Sequence, residues 1–93
     1  MVKLIQIIKH GYNEYKLANV YLNPKHIVFM SEHYETKSDL REGKMNLDLD
    51  KNISFTKIKI NENSATFSEI VVVGSPDDVE SKIFNNKRKI LRG

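Results

Sequence analysis

A chain of 93 residues, 40% hydrophobic and 29% charged, has the composition of one small globular domain, expected to bury roughly 60–65% of its unfolded surface. That supports one core behind a sheet, without room for a deep active-site cleft as well. Cysteine is absent, which excludes disulfides, thiolate metal sites and cysteine nucleophiles, and the net charge of +3 says less than its distribution.

Residues 53–81 hold two lysines against five acids, whereas Lys82, Lys87, Arg88, Lys89 and Arg92 follow with no acid among them. A mildly acidic body therefore carries a basic C-terminal end. Lysine supplies 12 of the 15 basic residues, and Lys, Ile and Asn together make 31 of 93. This bias fits an AT-rich genome such as that of a bacteriophage or a low-GC bacterium. The opening MVKLIQIIKH has neither the long apolar core and small-residue cleavage site of a signal peptide nor the length of a membrane span. The expected location is cytoplasmic, in the host cytoplasm if the protein is phage-encoded.

In chain order, Lys3–Lys9 is rich in isoleucine and reads as a strand. His10–Asn13 has turn chemistry, with Gly11 supplying conformational freedom. Tyr15–Leu22 alternates, placing Tyr15, Leu17, Asn19 and Tyr21 on one face of a second strand. Asn23-Pro24 breaks the chain, because proline lacks an amide donor and biases its predecessor to an extended shape. Ile27–Glu35 begins apolar and turns polar, as a strand leaving the core does. The 17 residues Thr36–Asn52 are charged, with Leu40, Met45, Leu47 and Leu49 their apolar members. They predict a long charged loop, with a short helical turn over Ser38–Gly43; loops of that length are often functional. Ile53–Ile60 and Phe67–Gly74 read as two strands around an Asn/Ser turn, the Ile70–Val73 run marking a central strand covered on both faces.

The stretch GSPDDVESKIF, Gly74–Phe84, has the strand–glycine–helix order of a phosphate loop. Ser75 is placed as N-cap and Pro76 at the first helical position. Asp77 and Asp78 stand in the first turn, where carboxylates favour the helix dipole, and Asp78 closes a capping box with Ser75. Two aspartates thus hold the anion position, and neither GxGxxG nor GxxxxGK[ST] is present. The stretch predicts a capped helix laying Val79, Ile83 and Phe84 on the sheet, and no cofactor.

Asp48, Asp50 and Asn52 match the first three spacings of a calcium loop. Ile53 stands where that loop requires glycine, and Lys59 where it requires a bidentate acid. His10, His26 and His33 lack ligand spacing, although two would meet if the first and third strands were neighbours; no metal site is assigned. No nucleophile elbow, HExxH or paired acids appear, so no catalytic residue is assigned and a non-enzymatic protein is expected. Tyr12, Tyr15, Tyr21 and Tyr34 read as sheet and core residues.

Lys82, Lys87, Arg88, Lys89 and Arg92 are the candidate contacts to nucleic acid or another anion. Cations in the last turns of a helix complement its negative end without any ligand. As an arm on phosphates they would give a marked salt dependence. Ile90 and Leu91 beyond them predict a tail packing on the sheet or on a neighbouring chain.

KLIQI, VYLNPKHIVFM with its Asn-Pro before a hydrophobic strand, FTKIKI and VVVGSPDDVESKI occur in an order that resembles the small FlbD-like proteins of flagellar and swarming operons. Together they cover about two-thirds of the chain. The resemblance implies a small sheet protein that regulates by binding other macromolecules, and it transfers no catalytic residue. The charged Thr36–Asn52 segment and the basic tail after Ile83 depart from that pattern.

The expected fold is α+β: a single domain, 1–93, with about five mostly antiparallel strands and one C-terminal helix across a face. Lys3–Lys9 and Ile53–Ile60 carry no proline to block pairing at a sheet edge, so a homo-oligomer is expected. The leading functional expectation is a protein-binding regulator using the charged loop and a sheet edge. The alternative is a nucleic-acid binder using the basic tail, and a fainter one is an oligomer that sequesters a small anionic ligand.

Overall fold

The computed structural model describes residues 1–63 and 65–92, with residues 86–92 described by their backbone alone. Five strands and two helices follow the order β1 (Val2–Gly11), β2 (Glu14–Leu22), a 3-10 turn (Pro24–His26), β3 (Ile27–Glu32), α1 (Tyr34–Arg41), β4 (Phe55–Asn63), β5 (Thr66–Val73) and α2 (Pro76–Arg92). The strands form one antiparallel sheet in the order β2-β1-β5-β4-β3. The expected α+β class and the C-terminal helix on the sheet are what the structure has.

Both sheet faces are used, because alternate residues of each strand point to opposite sides. One face carries Val2 and Leu4 of β1, Leu22 of β2, Ile58 of β4 and Val72 of β5, and α2 lies on it through Val79 and Ile83. The other face gathers Ile7, Tyr15, Phe55, Val71 and Val73 beneath Leu40 of α1 and Met45, Leu47, Leu49 and Ile53 of the segment that follows. Phe55, Ile58, Thr56 and Val72 are fully buried, so the centre of the sheet is covered on both sides, as the Ile70–Val73 run predicted.

Local chemistry explains the turns. The β1–β2 turn is made by Tyr12 and Asn13, since Gly11 pairs with Glu14. Asn13, rather than Gly11, takes the left-handed conformation, at φ 60; asparagine tolerates it through its short polar side chain. Asn23 Oδ1 accepts from the Lys25 amide at 3.0 Å and starts the 3-10 turn. Between β4 and β5, Asn63 Oδ1 accepts from the amides of Ala65 and Thr66, both at 3.0 Å. Gly74 stands at φ 116, donates its amide to Ser54 O at 2.8 Å and accepts at its carbonyl from Thr56 Oγ1 at 2.8 Å. Here the backbone requires glycine.

Three expectations are corrected. The third strand stops at Glu32, and Tyr34–Arg41 is a helix, so the short helical turn expected over Ser38–Gly43 begins earlier and replaces the expected strand end and the start of the charged loop. Its buried face is Thr36 and Leu40, one helical turn apart, and Lys37 fastens it through Ser54 Oγ at 3.0 Å and Glu32 at 3.4 Å. The sheet edges are β2 and β3, not Lys3–Lys9 and Ile53–Ile60, which lie within the interior strands β1 and β4 except for Ile53 and Ser54. Tyr15 alone among the tyrosines is core, whereas Tyr12, Tyr21 and Tyr34 are exposed.

Candidate binding surfaces

At the helix entry the predicted capping box is formed. Asp78 Oδ2 accepts from the Ser75 amide at 3.3 Å, and Ser75 Oγ accepts from the Asp78 amide at 3.2 Å. Both halves of the capping box are closed by the chain's own groups. The groove beside it, about 710 Å³, is lined by Asp50, Asn52, Ser54, Ser75, Asp78 and Lys82 among others. Lys82, exposed on α2, is the member of the predicted basic cluster whose side chain is described, and it stands there with two aspartates. The side chains of Lys87, Arg88, Lys89 and Arg92 lie outside the described residues, as do those of Ile90 and Leu91.

A smaller cavity, about 200 Å³, opens between α1 and the sheet and is lined by Ile7, Lys9, Tyr15, His33, Glu35, Thr36, Asp39 and Val71. Its groups are engaged with one another. The Tyr15 hydroxyl donates to Asp39 Oδ2, Lys9 Nζ stands 3.7 Å from the same oxygen and 5.6 Å from the Tyr15 ring, and the Tyr15 amide donates to Asn46 Oδ1 at 2.7 Å. Burial first, then the hydrogen bond to Asp39, holds the Tyr15 phenol well above its ordinary value. Tyr15 is thus a fixed donor that ties β2 to α1, not a base.

The histidines do not converge. His10 faces Glu14 at 3.7 Å and His33 faces Glu35 at 3.7 Å, and β1 and β3 are separated by β5 and β4. In the calcium-like stretch, Asp50 Oδ1 accepts from the Asn52 amide at 2.8 Å, and Asp50 O from the Ile53 amide at 3.0 Å. The aspartate caps a turn. Among the described residues no group of three His, Cys, Asp or Glu side chains is arranged to hold a metal ion. No helix among them is long and apolar enough to cross a membrane.

On the α2 side, Phe84, expected to lie on the sheet with Val79 and Ile83, is exposed; on the α1 side, apolar side chains remain open toward both edges. Along β1 and β2, Ile5, Leu17 and Tyr21 are 41%, 42% and 60% exposed. Ile5 pairs with Asn19, and so lies diagonal to both Leu17 and Tyr21; the three form one apolar strip beside the free edge of β2. Along β3, β4 and β5, Phe29 and Phe67 are exposed around Lys59. The alternation of Tyr15–Leu22 announced the first surface. Phe29 and Phe67 were read only as strand residues, and their meeting depends on a register the sequence does not state. Compared with known protein families, curated proteins and solved structures, the chain matches none.

Proposed function

We infer that this is a non-enzymatic binding protein of regulatory type that associates with other protein strands, including a second copy of itself, along the free edge of β2. The observation that carries this reading is the edge itself. It runs nine residues, Glu14–Leu22, contains no proline, and is flanked by the exposed strip of Ile5, Leu17 and Tyr21. Its outward amides and carbonyls are a template for strand addition, and the apolar strip supplies the area that backbone hydrogen bonds alone lack. Natural edges that stay monomeric are usually short, bulged or interrupted by proline or inward charge. The resemblance to FlbD-like proteins supports the same reading, since it implies regulation by macromolecular contact. A cytoplasmic setting, in a host cell if the gene is a phage's, belongs to this proposal.

Light scattering at high protein concentration tests it. The intact chain is expected to exceed the mass of one 10.8 kDa chain. Leu17→Lys, which places a charge on the strip, is expected to return the mass to that of a monomer without unfolding the domain. A monomer at every concentration overturns the self-association. Sequestration of a small anion is not favoured in the helix-entry groove, where Asp50 and Asp78 face any ligand.

A further inference from the structure

The second open surface lies toward the opposite edge and goes beyond the protein-binding reading. Phe29 of β3 is opposite Lys59 of β4, Lys59 is opposite Glu69 of β5, and Asn61 is opposite Phe67. The α1 helix and the segment after it cover the other end of this face and leave this row open. The two rings are 47% and 49% exposed. Lys59 Nζ lies between them, 5.7 Å from the Phe29 centroid and 5.2 Å from that of Phe67. Glu69 is engaged by Lys57 at 3.5 Å, whereas Lys59 makes no ion pair among the described residues.

We propose that this row is a site for single-stranded nucleic acid. Bases stack on Phe29 and Phe67, and Lys59 neutralises the phosphate between them. Each part follows from the geometry. Every base has a π-face, so exposed rings on a sheet hold unpaired bases with little regard to sequence. Sheet faces that carry aromatics on neighbouring strands bind splayed single strands in this way. Strands β3 and β5 flank β4, which separates the two ring-bearing strands by roughly 9–10 Å. That distance suits bases unstacked from one another and not a paired duplex. Of the two lysines that β4 presents on this row, Lys57 is paired with Glu69, and Lys59 lies between the rings, where a backbone linking two stacked bases would pass. This places nucleic-acid recognition on the sheet.

Fluorescence anisotropy tests the assignment, with labelled oligouridylate and oligothymidylate of about ten nucleotides and a duplex of the same length, at about 50 and about 200 mM salt. Both single strands are expected to bind, the duplex much more weakly, and the preferred sugar identifies RNA or DNA as the ligand. Phe29→Ala and Phe67→Ala are each expected to weaken binding by roughly five- to hundredfold. Phe29→Leu and Phe67→Leu, which keep an apolar side chain but no π-face, are expected to lose most of that affinity while unfolding at the same temperature as the intact chain. Lys59→Gln is expected to lower the salt slope by about 0.7. Changing Lys82, Lys87, Arg88, Lys89 and Arg92 to glutamine is expected to leave the dependence on the rings intact. The proposal is overturned if neither strand binds at the lower salt, if the duplex binds equally well, or if binding survives loss of both rings. It is overturned equally if Phe29→Ala dissociates an oligomer without touching oligonucleotide affinity, since the row is then an interface between copies.

Discussion

Tyr15 shows how one side chain can hold two elements together. Its ring is in the core, its hydroxyl donates to Asp39 on α1, and its amide donates to Asn46 beyond the helix. The phenol sits above its ordinary 10.0 in the fold, so the native state keeps a proton that the unfolded chain releases. The stabilisation is complete below pH 10 and is lost as pH rises past it. Chemical denaturation of Tyr15→Phe should therefore show a flatter decline of stability in alkali than the intact chain. Near neutrality the variant should lose about 1–3 kcal/mol, the cost of removing a donor from a carboxylate. Gly74 makes a different residue-scale demand. A Cβ there would have room, its nearest neighbour being Asp78 Cβ at 3.6 Å, so the penalty for Gly74→Ala comes from the backbone at φ 116. It should cost about 1–3 kcal/mol in a denaturant titration, with the capping box still formed.

At the scale of elements, α2 was legible, and of α1 only the end that falls in Ser38–Arg41 was. The sequence SPDDV spells out a cap, a first-turn proline and two acids, and the structure closes the box between Ser75 and Asp78. The start of α1 carries no such signal. His33 stands at its N-cap without a side-chain hydrogen bond, and Tyr34 reads as readily for a strand. The buried face of the helix is one leucine and one threonine. Tertiary contact makes this helix, through Leu40 on Phe55 and Tyr15, and local propensity could not reveal it. Leu40→Ala should accordingly cost about 2–5 kcal/mol, and hydrogen exchange should show the amides of α1 losing protection before those of β4 and β5. The strands themselves were readable from their β-branched runs, but not their order. Which strands are edges depends on β1 reaching β5 across most of the chain, and nothing in Lys3–Lys9 announces its partner. For the same reason the candidate surfaces could be named only as residues. Leu17 and Tyr21 share a face by alternation alone, whereas Phe29, Lys59 and Phe67 come together only through the register.

At the scale of the whole molecule, the two sheet faces are unequally covered. On one face α2 completes a cluster that draws on every strand, from Val2 and Leu22 through Met30 and Ile60 to Val79. On the other, one eight-residue helix and a loop cover the middle and leave apolar side chains exposed toward both edges. Monomeric proteins seldom leave such patches without use. The ion pairs do not offset this: Lys57–Glu69 and Lys44–Glu42 lie at the surface, where each contributes about 0–1 kcal/mol. A thermal melt should therefore shift little between about 50 and about 200 mM salt, while any binding to phosphate falls steeply over the same range. The contrast separates charges that serve the fold from charges that serve a ligand.

The sheet also has a seam. β1 and β2 are zipped along their length, as are β4 and β5, but β1 meets β5 in register through Gln6 and Val72 alone among the described residues. Cohesion across that line comes from side chains: Leu4 with Val72 and Val79 on one face, Ile7 with Val71 on the other. Two hairpins can form early from neighbours in the chain, whereas the seam must wait for the closure of a loop spanning most of the polypeptide. Until it closes, β1 and β5 each present an unsatisfied inner margin, and during synthesis the N-terminal hairpin emerges long before its mate exists. A nascent hairpin in that condition carries an open edge until its own β5 is made, so the order in which the segments are made decides how long that edge stays unpaired.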